Sequence, residues 1–426
     1  MPTLNRPALL VSAPASGQGK TLVTAALARA WRNQGHTVQA FKCGPDFIDG
    51  MILQTATGRP VYNVDLGMCG LDDGKAQLYR AAETADVLIV EGVMGLYDGI
   101  PSTADLAKAF NLPVALVIDA SGMAQTFAAV AAGLYAFDSV LVRAGVIANK
   151  VGSLGHATML QAALTTVIPS TPWLGALLKD QRLCLPERHL GLHLADEITD
   201  LEVRIAAAAQ LLAENNALPL PPITDFAAPM ATHPPPLLRG KTIAVARDAA
   251  FCFIYPANID CLIALGATVV YFSPLHDVAL PDADAYWLPG GYPELHADII
   301  SQNNSLREGL GNAVQAGKPL LAECGGMMVL GEALNGVPMC GLLAGQSVIQ
   351  AKLQGLGTQY LDTPTGTIGA HTFHYGRFDT DIPPAFIASS RYGQGEAVYR
   401  QGVVTASFLH FYFPSNPIFA AQLFLP

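Results

Sequence analysis

An apolar run at 8–13 leads directly into Ser16-Gly17-Gln18-Gly19-Lys20-Thr21, and a helical pattern begins at Lys20. A strand that turns through glycines into a helix lets successive backbone N–H groups converge on phosphate oxygens, with the helix N-terminus adding a favourable dipole. In such a loop Lys20 carries charge to the terminal phosphates and Thr21 offers a hydroxyl to Mg²⁺. The full pattern would place a glycine five positions before Gly19, where this chain has Pro14. The feature predicts a parallel sheet that begins with a phosphate-binding strand.

The rest of the first 213 residues fits that sheet. Short apolar runs at 8–12, 38–41, 87–90, 114–118 and 143–148 alternate with helical patterns such as 20–34 and 126–137, as in a parallel sheet covered on both faces. Two polar segments follow the second and third of these strands, Lys42–Asp49 and Glu91–Gly99. Carboxyl ends of strands are where open α/β sheets bind ligands. Asp46 and Glu91 are placed to hold Mg²⁺ with Thr21, since Mg²⁺ takes a few hard oxygens beside phosphate.

Residues 214–240 are rich in proline and show no helical period, which predicts a spacer between independently folding units. The segment 241–426 then resumes with strands at 242–246, 268–272, 285–288 and 319–322, and ends in a glycine-rich third with short β-like runs. Leu321-Ala322-Glu323-Cys324-Gly325-Gly326 places a cysteine at a sharp strand-to-helix turn, with the helix expected to end near Ala333. Such an elbow exposes a thiol, and the helix N-terminus is expected to favour the thiolate. His410 is the expected base. Backbone amides of the 288–294 segment, at Gly290 and Gly291, together with Gly325, form the expected oxyanion hole.

Composition narrows the partners. The formal net charge is −10, which argues against nucleic acid or anionic membranes. No apolar run approaches the roughly 20 residues that span a bilayer. Seven cysteines are scattered without a CxxC pair, so the expected setting is a reducing cytoplasm, with neither a disulfide framework nor a zinc site.

Taken with Leu185–Leu192 and His371–Tyr375, these segments resemble the cobyrinic acid and hydrogenobyrinic acid a,c-diamide synthase family over essentially the whole chain. The resemblance implies an α/β architecture of two parts. The first is a P-loop, dethiobiotin synthetase-like parallel-sheet domain at 1–213. After the 214–240 linker comes a class I glutamine amidotransferase-like α/β domain at 241–426. It implies ATP and Mg²⁺ as cofactors, glutamine and a corrinoid as substrates, and a homodimer as a family expectation. The activity implied is amidation of two corrinoid carboxylates through carboxyl phosphates, with nitrogen from glutamine or ammonia.

By matched position, Ser16, Gly17, Gly19, Lys20 and Thr21 would bind ATP, and Asn149 would read its base. Asp46, Asp49, Glu91 and Asp98 would surround ATP, Mg²⁺ and the substrate carboxylate, and Pro186, Glu187, Arg188 and His189 would contact the corrinoid. Phe411 and Tyr412 follow His410, so the Glu that many class I amidotransferases carry two residues after this histidine is missing, and a Cys324–His410 dyad is expected. Another tetrapyrrole, such as nickel sirohydrochlorin, is left open as substrate. A partition-type nucleotide switch is disfavoured, because its signature lysine would stand at Ala15 and it needs no amidotransferase half. His371 and His374 carry weaker claims to substrate contact.

Overall fold

The computed structural model describes residues 2–183, 187–188, 191–192, 194–215, 218–229 and 234–426. The chain divides into two compact units, Met1–Leu66 with Gly70–Met230, and Gly67–Cys69 with Ala231–Pro426.

The first unit contains β1 (Thr3–Ser12), α1 (Lys20–Asn33), β2 (Val38–Cys43), α2 (Ile48–Thr57), β3 (Tyr62–Val64), α3 (Leu71–Thr84), β4 (Val87–Glu91), α4 (Thr103–Ala109) and β5 (Val114–Asp119). It continues with α5 (Thr126–Phe137), β6 (Arg143–Val151), α6 (Leu154–Val167), β7 (Trp173–Leu178), β8 (Glu187–Arg188), β9 (Gly191–Leu192), α7 (Leu201–Asn215) and β10 (Ile223–Ala227). Its main sheet runs β3-β2-β4-β1-β5-β6-β7, with every pairing along that order parallel.

Both faces of this sheet are apolar, which is why the central strands read as continuous hydrophobic runs. Along β1, Ala8 and Leu10 face one core with Phe127 and Tyr135 of α5, while Leu9 and Val11 face another with Trp31 of α1 and Ile205 of α7. The period-2 alternation of a strand sends successive side chains to opposite layers.

The expected 214–240 spacer is only partly one. α7 reaches Asn215, and β10 pairs antiparallel with the start of β1, from Thr3↔Ala227 to Pro7↔Ile223. The alternation of exposed Ile223, Asp225 and Ala227 with buried Thr224 and Phe226 is a half-buried edge pattern. The neighbouring prolines masked it, because prolines are tolerated where a strand begins or lies at an edge.

The second unit contains β11 (Thr242–Ala246), α8 (Pro256–Ala264), β12 (Thr268–Phe272), β13 (Ala285–Leu288), α9 (Ala297–Gln302), α10 (Asn304–Gln315), β14 (Leu320–Glu323) and α11 (Gly325–Leu330). Its glycine-rich third forms β15 (Ala333–Leu334), β16 (Val337–Pro338), β17 (Gln346–Ile349), β18 (Gly355–Thr363), β19 (Gly366–His374), β20 (Gly376–Asp379), β21 (Phe386–Ser390), β22 (Gly393–Gln401), β23 (Val404–Ser407), β24 (His410–Phe411) and α12 (Pro417–Gln422). A parallel half, β12-β11-β13-β14-β23, continues into an antiparallel half, β22-β21-β18-β19-β24. β16, β15, β17 and β20 form a small separate sheet. The helix after Cys324 stops at Leu330, short of the expected Ala333, because Ala333 and Leu334 pair with β16 and β17.

Phe226→Ala tests whether β10 belongs to the first unit. Phe226 is buried in its core, so truncation should destabilise that unit by about 3–5 kcal/mol. Thermal unfolding would show this as a lowered transition; an unchanged one would make β10 a passive tether.

Candidate functional site

The phosphate loop lies between β1 and α1. Gly17 and Gly19 adopt φ of 76° and 83°, and Gly19 caps α1 in the left-handed conformation. A side chain at Gly19 would also collide with Nδ2 of Asn149. That nitrogen donates to Gln18 O at 2.8 Å, while Oδ1 accepts the Lys150 N–H at 2.9 Å. The Asn149 amide, which the resemblance assigns to the nucleotide base, is engaged here in holding the loop. On the same side, Gln18 Oε1 accepts the Asp119 N–H at 2.8 Å, and Lys150 Nζ lies 2.8 Å from Asp119 Oδ2. The ends of β5 and β6 therefore fix the loop.

Lys20 folds back over the loop, donating to Ala15 O at 3.3 Å and Met94 O at 2.5 Å. Its pKa is lowered by burial and by the neighbouring Lys42. Thr21 Oγ1 lies 2.7 Å from Glu91 Oε1 and 3.3 Å from Asp49 Oδ1. Lys42 Nζ lies 2.7 Å from Asp49 Oδ2 and 3.1 Å from Glu91 Oε1. Burial alone would lower the Lys42 pKa, but Asp49 and Glu91 outweigh it and keep the ammonium charged. Burial pushes the Glu91 carboxyl up against the pull of Lys42.

Thr21, Glu91 and Asp49 thus form one oxygen cluster. Asp46, expected beside Thr21 and Glu91, uses Oδ1 to accept the Asp49 N–H at 2.9 Å. It stands at the turn into α2, where a carboxylate satisfies free helix N–H groups, and Asp49 takes the place beside Thr21. Asp98 is exposed and accepts the Gly95 N–H at 3.0 Å, shaping the loop after β4. Ser16 is exposed at the mouth of the phosphate loop.

The cluster suits Mg²⁺. Glu91 Oε2 is buried with no hydrogen-bond partner, and Thr21 and Asp49 add hard oxygens. No group of three or more His, Cys, Asp or Glu among the described residues could hold a metal alone. Lys42 is the residue that sequence reasoning missed. It lies inside a strand, and only its position opposite Glu91 on the adjacent strand, Lys42↔Glu91, signals a role.

The second unit brings Cys324 and His410 together. Cys324 has φ 47° and ψ −108°, a strained turn between β14 and α11. A side chain at Gly290 would collide with Cε1 of His410 and lie 3.2 Å from Cβ of Cys324, so Gly290 is wedged between the two. Cys324 N–H donates to Ser407 O at 2.7 Å, and Gly290 O accepts the Phe253 N–H at 3.0 Å. Gly291 and Gly325 are equally close-packed: a side chain on the former would strike Ala250 O, and on the latter Cδ of Pro293.

The expected thiolate is not the resting form. Burial, followed by the carboxylate of Glu294, pushes the Cys324 thiol well above its ordinary range, and the Gly325 N–H only partly offsets this. Burial, His371 and His374 lower His410 to about 3. The resting pair is therefore neutral thiol and neutral imidazole. His371 is the cross-strand neighbour of His410. His374 contacts Glu396 Oε1 at 2.9 Å and Gly376 O at 2.7 Å, and stacks on Phe408. These two histidines belong to the wall of this site.

Of the expected corrinoid contacts, Pro186 and His189 lie outside the described residues, and Glu187 and Arg188 form β8, which pairs with β9. Among the described residues Cys43, Cys324 and Cys340 are free thiols. No helix among them is long and apolar enough to cross a membrane.

Residues 9–192 match the CobQ/CobB/MinD/ParA nucleotide binding domain, and residues 242–418 match the CobB/CobQ-like glutamine amidotransferase domain. Hydrogenobyrinate a,c-diamide synthase of Stutzerimonas stutzeri is 49% identical, covering 100% of both chains. The protein of the same name in Pseudomonas aeruginosa is 47% identical, over 99% of this chain and 98% of that one. Cobyrinate a,c-diamide synthase of Herminiimonas arsenicoxydans is 46% identical, over 100% of this chain and 98% of that one. With a nucleotide-binding unit and an amidotransferase unit aligned end to end with these relatives, the chain belongs to the cobyrinate and hydrogenobyrinate a,c-diamide synthase family of carbon–nitrogen ligases.

Proposed function

We propose that this protein converts the a and c side-chain carboxylates of cobyrinic or hydrogenobyrinic acid to amides, using ATP and either glutamine or free ammonia. The observation that carries this reading is that one chain combines a phosphate loop facing a Lys42–Asp49–Glu91 cluster with a cysteine elbow packed against a histidine. A reducing cytoplasm suits a chemistry that needs a free thiol.

In the first unit, a substrate carboxylate oxygen attacks the γ-phosphorus of ATP, the bond to ADP breaks, and a carboxyl phosphate forms. Phosphoryl transfer asks a protein chiefly for position and charge. Backbone N–H groups at Gly17 and Gly19 cradle the phosphates, Lys20 leaves its carbonyl partners to meet them, and Lys42 brings a second fixed cation. Thr21, Glu91 and Asp49 would hold Mg²⁺, which would supply neutralisation of phosphate charge when bound. Asp46 and Asp98 shape the two loops that receive the substrate carboxylate, Asn149 keeps the phosphate loop in register, and the 186–189 segment contacts the corrinoid. Ammonia then attacks the carboxyl carbon and phosphate departs.

In the second unit, the thiol proton of Cys324 passes to His410 as sulfur attacks the glutamine side-chain carbonyl. Backbone N–H groups near Gly290, Gly291 and Gly325 receive the oxyanion. His410 returns the proton to the leaving nitrogen, giving ammonia and a thioester. Water then cleaves the thioester to glutamate.

Lys20→Ala should lower amidation on the order of 10²–10³-fold while glutamine hydrolysis survives. Assaying both activities decides the point, and amidation at the wild-type rate would remove Lys20 from the phosphate site.

Cys324→Ser should lose glutamine-dependent amidation and keep ammonium-dependent amidation, because a hydroxyl forms no comparable anion at neutral pH. Comparing glutamine with ammonium chloride as donor, on each corrinoid acid in turn, tests the separation of the two activities and identifies the substrate. Normal use of glutamine by this variant would make Cys324 structural.

The raised Cys324 pKa gives a pH prediction. A group whose pKa lies above neutrality stays protonated at pH 7, so alkylation of free enzyme by iodoacetamide should be slow there and should accelerate as pH rises. Rates taken as the difference from Cys324→Ser report this thiol alone. Fast, pH-independent alkylation near pH 7 would show a resting thiolate instead.

A further inference from the structure

A general base needs a group that fixes its orientation, and the two residues after His410 supply no carboxylate. We propose that Glu323 is a positioning residue of the glutaminase site, gripping the backbone beside His410. This rests on the reading of Cys324 and His410 as the reacting pair.

Glu323 is 1% exposed and is joined by its own peptide bond to Cys324. Its Oε1 accepts the Phe411 N–H at 2.9 Å, and its Oε2 accepts the Trp287 Nε1–H at 3.0 Å. The carbonyl of Phe411 is held from the other side, accepting from Nδ2 of buried Asn258 at 2.7 Å. β24 is only two residues long and pairs with β19 through Ala370↔Phe411 and His371↔His410. So short a strand does not fix a base by its ladder alone. The Glu323 and Asn258 grips on Phe411 fix the peptide that follows His410, and with it the approach of the imidazole to Cys324.

The choice of a carboxylate has a cost that a neutral side chain would avoid. Neither donor to Glu323 is a cation, and burial pushes its carboxyl up to about 8. Glu396 does not take this part, because it is engaged with His374 at 2.9 Å and Thr372 at 3.3 Å. One residue thus sets the spacing of the pair, covalently on the nucleophile side and by a hydrogen bond on the base side.

The experiment follows glutamine hydrolysis directly in Glu323→Gln, Glu323→Asp and Cys324→Ser enzymes, with a melting temperature for each. In Glu323→Gln the amide can present its oxygen to only one of the two N–H donors, so His410 is displaced. The expected result is kcat lower on the order of 10²-fold with KM for glutamine little changed. Glu323→Asp, which keeps both oxygens on a shorter stem, should recover part of the loss. Wild-type kcat in Glu323→Gln overturns the proposal. So does a fall no better in Asp than in Gln, accompanied by a matching loss of melting temperature, or failure of both variants to fold. Each of these marks Glu323 as a structural acid. If Cys324→Ser itself hydrolyses glutamine, the pairing of Cys324 with His410 falls, independently of Glu323.

Discussion

Backbone approaching backbone at the carboxyl ends of parallel strands, closer than any side chain permits, is the constraint on which both sites depend. Gly92 follows β4 with its Cα so near Val11 O and Thr103 that a methyl group would not fit, and Gly92 N–H donates to Val11 O at 2.8 Å. In the second unit Gly326 lies against Leu288 O in the same way, and Gly290 against His410. A strand that ends on glycine lets the next loop fold over its neighbour instead of away from it. The phosphate loop then faces the Lys42–Glu91 pair, and the cysteine elbow faces the 288–293 loop. A larger residue at these points would separate the parts of each site without touching a reacting group.

The two units use that geometry with opposite electrostatics. In the first, charges are gathered and buried together: Lys42 is held by Asp49 and Glu91, and Thr21 adds its hydroxyl to the same acid. Removing one partner of such a set leaves an uncompensated buried charge, so the cluster depends on all of its members. In the second, the reacting pair is kept neutral. Burial first, and then the carboxylates of Glu294 and Glu396, oppose the thiolate, while burial opposes the imidazolium. In the proposed reactions, phosphoryl transfer would receive charge already in place, whereas the glutaminase site would have to create it.

Much of this was legible in the sequence because strand and helix periods differ and because glycine marks close approach. Strands at 242–246, 268–272 and 285–288 coincide with β11, β12 and β13, and the pattern at 126–137 coincides with α5. β3 and β7 were missed. β3 is three residues long, and β7 mixes half-buried and buried positions without a clean period. β10 was hidden by prolines at its edge. In the sites, Cys324, His410, Lys20, Thr21 and Glu91 could be read from local motifs. Lys42, Glu323 and Asn258 could not, because each acts across a distance in sequence: Lys42 on Glu91, Glu323 on the Phe411 N–H, and Asn258 on the Phe411 carbonyl. Local patterns report which residues a turn requires, but they carry no signal for a side chain whose partner arrives from another strand.

The neutral resting pair ties reactivity to geometry. An imidazole with a pKa near 3 is a weak base, and a thiol pushed above its ordinary range is a weak acid, so proton transfer between them at rest is strongly uphill. In the proposed reaction it becomes feasible only as negative charge leaves sulfur for the carbonyl oxygen of glutamine, which backbone N–H groups would receive. Under the proposed mechanism such a site would hold its nucleophile inert until the substrate carbonyl is in position, and its rate would depend on how closely the backbone around Gly290 and Phe411 keeps the two side chains aligned.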